Sequence, residues 1–234
     1  MSCLRALDMT GGYGEVDILH DCSITAEPGK ITVIVGPNGA GKSTAMKAMF
    51  GLIELRKGTV ELDGKDITPL APQERVALGM AFVPQTGNIF PSLTVRENLE
   101  MGAFLRSDDI RPAMERVLGL FPALDVKKNQ AAGELSGGQR QQVAFGRALM
   151  TGPKMLMLDE PTAGVSPVVM DLLFDLVLDI AATGIAVLMT EQNARHALSI
   201  ADQGYVLVQG RNRYTDTGRS LLENPDVRKS FLGG

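Results

Sequence analysis

The sequence predicts an α/β fold, a mainly parallel sheet packed with helices and interrupted by a helical lobe. Three observations carry that expectation. Short apolar runs alternate with amphipathic helical stretches, the pattern of a parallel sheet covered by helices. A glycine-rich loop, Gly36-Pro-Asn-Gly-Ala-Gly-Lys-Ser-Thr44, joins one such run to a helix. Between residues 94 and 150 the spacing is helical, with no convincing strand.

In chain order, Ile31-Thr-Val-Ile-Val35 is β-branched, precedes a glycine and reads as a buried parallel strand. Residues 42–50 read as a helix, and Met80-Ala-Phe-Val83 as a strand stopped by Pro84. The lobe offers helices at 98–104, 110–120 and 139–150. Met155-Leu-Met-Leu158 is continuously apolar and ends in Asp159-Glu160. Across 167–182, Met170, Leu173, Phe174, Val177 and Leu178 fall at helical spacing. Residues 185–189 are strand-like, and Tyr205-Val-Leu-Val208 and Asn212-Arg-Tyr-Thr215 flank Gly210 as a hairpin. The expected organisation is one domain, 1–234, whose core lobe (1–85 and 152–234) carries a helical subdomain at 86–151.

Composition narrows the function classes. Of 234 residues 44% are hydrophobic, as in a globular chain, and the net charge is −4. Nucleic-acid surfaces are usually basic, so no nucleic-acid partner is expected. Cys3 and Cys22 are too few for a disulfide framework and read as reduced thiols. With His20 and His196 alone, a histidine zinc site is not expected. No stretch approaches the roughly 20 apolar residues of a membrane-spanning helix. The start, Met1-Ser-Cys-Leu-Arg-Ala-Leu-Asp8, lacks the apolar run of a signal peptide. A role at a membrane is therefore expected to come through a partner. No internal repeat is evident.

The glycine-rich loop fits G-x-x-x-x-G-K-[ST] between a strand and a helix, the arrangement of a P-loop NTPase core. Its glycines let backbone N–H groups turn inward on phosphate oxygens, and the helix start adds its positive dipole end. The cradle runs through Gly36, Asn38, Gly39, Ala40 and Gly41 into Lys42, Ser43 and Thr44. Lys42 is expected to reach the β- and γ-phosphates, and the Ser43 hydroxyl to hold Mg²⁺. Alone, this motif specifies only a nucleoside triphosphate. At the end of the acidic strand, Asp159 is expected to bind Mg²⁺ and Glu160 to polarise the attacking water. That edge of an open parallel sheet is where ligands sit.

Leu135-Ser-Gly-Gly-Gln-Arg-Gln-Gln142 places a serine and two glycines at another helix start. By itself it could be a plain capping turn. Together with Tyr13, Gln85 after Val83-Pro84, and Glu160-Pro161-Thr162, it resembles the signature of ATP-binding cassette (ABC) ATPases over nearly the whole chain. The resemblance implies two subunits packed head to tail, each phosphate loop facing the other's Ser-Gly-Gly with ATP between. Ser136, Gly137, Gly138 and Gln139 are then expected at the partner's nucleotide. Tyr13 is implied to stack on adenine, with ordinary packing as the alternative. Gln85 is implied to be a Mg²⁺ or water ligand at the hinge of the helical lobe, against a plain surface glutamine.

Within that family, Phe82-Val-Pro-Gln85, Asn88-Ile-Phe-Pro-Ser-Leu-Thr-Val-Arg-Glu-Asn98, Thr190-Glu-Gln-Asn193 and Ser230-Phe-Leu-Gly-Gly234 resemble the smaller ATPase of branched-chain amino-acid importers. This implies an ATPase at the cytoplasmic face of the inner membrane. Its partners are a second ABC ATPase subunit (identical or a sister), transmembrane permease subunits and, indirectly, a periplasmic binding protein. A urea importer, a lipid or lipopolysaccharide exporter, and a non-transport ABC ATPase are the alternatives. DNA-type members need a long coiled-coil insertion and ribosome-type members usually carry two cassettes; this sequence has neither. A small-molecule kinase leaves residues 135–139 unexplained. Residues 86–95 are expected to line a groove for a permease helix, unless Ile89 and Phe90 simply pack inside the lobe.

The sequence departs from the family twice. Gln192 stands where many members carry histidine, and His196, one helical turn on, is not expected to replace it. Ser166 stands where many carry aspartate. The expectation is a slower site, with Gln192 still orienting water or, alternatively, only capping the next helix.

Overall fold

In β7 (Met155–Asp159) successive side chains enter different cores, Met155 and Met157 on one side of the sheet, Leu156 and Leu158 on the other. A strand buried on both faces must be apolar at every position, which explains the unbroken runs.

The computed structural model describes residues 3–231; Met1-Ser2 and the closing Leu232-Gly-Gly234 lie outside the described residues. The chain opens with β1 (Leu4–Tyr13), β2 (Val16–Ala26) and β3 (Ile31–Val35). The phosphate loop leads into α1 (Lys42–Phe50). Next come β4 (Leu55–Leu62), β5 (Lys65–Asp66), α2 (Pro72–Ala77) and β6 (Met80–Val83). Four helices follow: α3 (Val95–Gly102), α4 (Arg111–Leu120), α5 (Pro122–Val126) and α6 (Gly137–Leu149), with a short 3₁₀ turn at Ala132–Glu134. After β7 the chain runs through α7 (Pro167–Ala182), β8 (Ala186–Thr190), α8 (Ala194–Ser199) and the hairpin β9 (Gln203–Val208) and β10 (Arg211–Asp216). It ends in α9 (Gly218–Glu223) and α10 (Pro225–Phe231).

Two sheets form. One has the order β10-β9-β3-β8-β7-β6 and is parallel except for the β9–β10 pair. The other, β2-β1-β4-β5, is antiparallel. The sequence pattern shows no strand before Ile31 and none over 55–66. β1 and β4 share one side with the core, so Leu4, Ala6, Met9, Val60 and Leu62 are buried among exposed or half-buried neighbours. Register shifts between Ala6 and Met9 and again at Gly11 break the period of two that would reveal them.

α1 and the antiparallel sheet pack on one face of the parallel sheet, through Met9, Ile24, Met46, Met49 and Leu188. On the other face α7 and α8 join Leu99, Val117, Phe121 and Phe145 of the helical region in one continuous core. Buried Arg75 fixes the far end of α1 by donating to the carbonyls of Met49 at 2.7 Å and Ala48 at 3.3 Å. A cation at a helix C-terminus also opposes the negative dipole end. Cys3 and Cys22 are buried and free; burial pushes their thiols up to about 11 and about 12, so neither is a thiolate at neutral pH.

Candidate nucleotide site

Parallel register brings four loops to one edge. Ile34 of β3 pairs with Thr190 of β8, Thr190 with Asp159 of β7, and Leu158 with Val83 of β6. The segments leaving these strands carry the phosphate loop, Glu191-Gln192, Asp159-Glu160 and Gln85. Residues scattered over more than 150 positions therefore meet at the C-terminal ends of adjacent strands, the ligand edge of such a sheet.

The loop has the backbone its glycines allow. Gly36, Gly39 and Gly41 have φ of 149°, 78° and 98°. A Cβ on Gly36 would lie 2.2 Å from the Leu207 carbonyl oxygen, so only glycine fits there. Asn38 and Gly39 are exposed, while Ala40, Gly41 and Thr44 are buried. The Lys42 ammonium, 5% exposed as a residue, donates to the carbonyls of Gly36 at 2.9 Å and Pro37 at 3.3 Å. It also lies 3.8 Å from Glu160 Oε1.

Both carboxylates are buried and engaged. Asp159 Oδ1 accepts from Ser43 Oγ at 2.9 Å and Thr190 Oγ1 at 2.7 Å. Glu160 Oε2 accepts from Gln85 Nε2 at 3.0 Å and Gln192 Nε2 at 2.7 Å. Glu160 also has φ of +48°, a left-handed conformation that is strained for a non-glycine residue. Its N–H is held by Thr190 Oγ1 at 3.0 Å. Gln192, with Gly36, Pro37, Asn38 and the α10 residues Ser230 and Phe231, lines a cleft of about 290 Å³. Asn193, not Gln192, caps α8 by accepting from the His196 N–H. The His196 ring stacks on Phe174 and lies 3.3 Å from Asp171, so α7 engages it.

Ser136, Gly137, Gly138 and Gln139 do not join this cluster. Ser136 caps α6: its Oγ accepts from the Gln139 N–H, and Gln139 Oε1 accepts from the Ser136 N–H, both at 3.3 Å. That reciprocal capping box satisfies two of the donors a helix start leaves free. Lys127 Nζ donates to the same Gln139 oxygen at 3.1 Å. Ser136 and Gly137 face solvent. Tyr13 ends β1, half exposed at 51%, with Lys47 Nζ 5.8 Å from its ring centre. It lines a separate cleft of about 760 Å³ with Gly12, Leu52 and Arg56.

The family profile described as ABC transporter matches residues 19–163. The chain belongs to the ABC transporter family. As a member it is an ATPase whose hydrolysis is coupled to transport. It is 41% identical to the high-affinity branched-chain amino acid transport ATP-binding protein BraG of Pseudomonas aeruginosa, over 95% of this chain and 96% of that one. It is 40% identical to a probable branched-chain amino acid transport ATP-binding protein, LivF, of Archaeoglobus fulgidus, over 98% of each. The ADP conformation of an ABC transporter cassette superposes with a TM-score of 0.90 at 32% identity, covering both chains fully.

In this ABC fold three further residues, Thr162, Thr190 and Glu191, frame the site without a role that the sequence pattern assigns. Thr190 bonds both carboxylate-bearing residues. Glu191, 2% exposed, accepts from Thr162 N at 3.1 Å, Thr162 Oγ1 at 2.9 Å and Gln192 N at 3.3 Å. Burial pushes its carboxyl up to about 7, opposed by those donors and reinforced by the Glu160 charge. The available signal was an acid directly after the apolar strand Ala186–Thr190, at the ligand edge of the sheet. No helix among the described residues is long and apolar enough to cross a membrane.

Proposed function

We propose that this chain is an ATPase subunit of a branched-chain amino-acid importer, working at the cytoplasmic face of the inner membrane with a second ATPase subunit, permeases and, indirectly, a periplasmic binding protein. The observation that carries the reading is near-full-length similarity to two branched-chain transport subunits, joined to an intact Lys42, Asp159 and Glu160.

ATP lies along the phosphate loop, with its adenine toward Tyr13. Lys42, held in place by two carbonyls, exchanges them for the more negative β- and γ-phosphates. Ser43, Asp159 and Gln85 offer hard oxygen donors and a single carboxylate, which suits Mg²⁺, an ion that keeps several waters. The Ser43–Asp159 hydrogen bond puts two of those donors within one small volume. When bound, Mg²⁺ supplies charge neutralisation on the phosphates. Glu160 accepts the proton of the attacking water as general base. Gln85 and Gln192, both on one Glu160 oxygen, orient that carboxylate and the water. Gln192 donates without positive charge, so less of the transition-state charge is stabilised than by a histidine there.

Ser136, Gly137, Gly138 and Gln139 complete the partner's site rather than this one. The partner's corresponding residues complete this one. Of residues 86–95, Phe90 lines a cleft of about 420 Å³ with Phe50, Phe82, Met101, Phe104 and Arg147, whereas Ile89 packs against the core; this cleft, rather than a groove along 86–95, receives the permease helix. Phe90 is 41% exposed and lies beneath the Arg147 guanidinium, 5.0 Å from its carbon. Apolar patches of this kind mark interfaces. Deleting the gene should abolish uptake of labelled leucine, with restoration by the wild-type chain and not by Glu160→Gln. Leucine uptake that persists, with loss of urea uptake instead, would overturn the assignment.

A further inference from the structure

We infer that Glu191 is a positioning residue that clamps the loop carrying Glu160 to the loop carrying Gln192. The inference rests on the reading of Glu160 as the general base.

Glu191 leaves β8 with its N–H bonded to the Ile34 carbonyl of β3 at 3.2 Å, so its own backbone is fixed by the sheet. Its carboxyl is buried, and among the described residues no cation lies against it and its partners are donors from Thr162 and Gln192. Burying a carboxyl is costly unless its oxygens are hydrogen-bonded, and here three donors from two segments meet its two oxygens. Thr162 gives both its N–H and its hydroxyl, one to each carboxylate oxygen. The rigid Pro161 alone separates Thr162 from Glu160, so anchoring Thr162 restrains the strained Glu160 backbone from its C-terminal side. Thr190 restrains it from the N-terminal side through the Glu160 N–H. The second Glu191 oxygen also accepts from the Gln192 N–H, and the Gln192 side chain returns to Glu160. One carboxylate thus sets the aim of the base and of the amide that touches it.

Glu191→Gln keeps the size but replaces one oxygen by an NH₂ group, which cannot serve donors on both sides. Thr162→Val removes the hydroxyl donor from the other end of the same contact. In the assembled transporter, each variant is expected to lower kcat for ATP about tenfold or more, the cost of a misplaced reacting group, with KM within about twofold. The double variant is expected to fall short of the product of the two single effects, because both act on one clamp. A Glu191→Gln kcat within about twofold of wild type would overturn the proposal. So would a loss that tracks reduced folded protein, or single effects that multiply fully. Glu160→Gln is measured alongside: if it also turns over normally, the general-base reading fails; if it alone is slow, only the clamp fails.

Discussion

The phosphate loop and the Leu135–Gln139 segment are both glycine-bearing helix starts, yet their surroundings are opposite. Around the first, Lys42, Asp159 and Glu160 are buried and bonded across four strand ends. Around the second, Ser136 and Gln139 bond, among the described residues, only to their own helix and to Lys127, and Ser136 and Gly137 face solvent. A Cβ at Gly36 strikes a carbonyl oxygen at 2.2 Å, whereas one at Gly137 meets nothing within 4 Å. The first arrangement is defined by one chain. The second has open space before it, and on the function proposed here its chemistry comes from another surface.

The largest expected effect lies in the inward-facing region. Glu160→Gln should slow ATP turnover of the assembled complex by roughly 10²–10⁴-fold, the range for losing a general base, while ATP binding persists. Single-turnover hydrolysis with radiolabelled ATP measures it, and near-normal turnover would remove Glu160 from the chemistry. The paired glycines come next. Gly36→Ala combines a backbone clash with a positive φ and should cost about 3 kcal/mol or more. Gly137→Ala should change stability by less than about 0.5 kcal/mol. Denaturant unfolding of both variants tests the contrast, and equal costs would break it.

How much was legible follows the same division. Met155-Leu-Met-Leu158 announced β7 because both its faces are buried, so no polar residue interrupts the run. β1 stayed hidden because its alternation of Leu4, Arg5 and Ala6 is lost at the register shift before Met9. The loop at 36–44 is contiguous, and its chemistry can be read from its spacing. Glu191 stands in plain view beside Gln192, but its partner Thr162 is 29 positions away, and the β7–β8 pairing brings their loops together. Sequence showed Ser136 and its glycines as a helix start; which surface they meet is not encoded locally.

A smaller effect distinguishes the Glu191 side of the inward-facing site by pH. Its folded value, about 7, lies above the ordinary 4.5. Folding therefore favours its protonated form, and that stabilisation is full below pH 4.5 and lost as pH rises to about 7. Glu160, Asp159 and Lys42 are the charged groups gathered at the same strand ends. Comparing wild type with Glu191→Gln should isolate a decline of at most ~3 kcal/mol between those limits. Parallel stability curves would contradict the burial of that carboxyl. Smaller again, Gln192→His should raise the hydrolysis rate of the complex severalfold, about 1 kcal/mol of barrier, with little change in ATP affinity. An unchanged rate would mean that the charge of that side chain is immaterial.

The smallest expected change is the most direct test, because an outward-facing Ser136 leaves the chain's own site untouched. Ser136→Arg in the isolated chain should leave the ATP dissociation constant as in wild type, while Lys42→Ala weakens it, both measured by isothermal titration calorimetry. The same Ser136→Arg chain in the assembled complex should lose ATP hydrolysis at the site facing it. If Ser136→Arg instead weakens ATP binding by the isolated chain as Lys42→Ala does, the outward segment belongs to the chain's own site. The division between an inward site and an outward half-site would then be wrong.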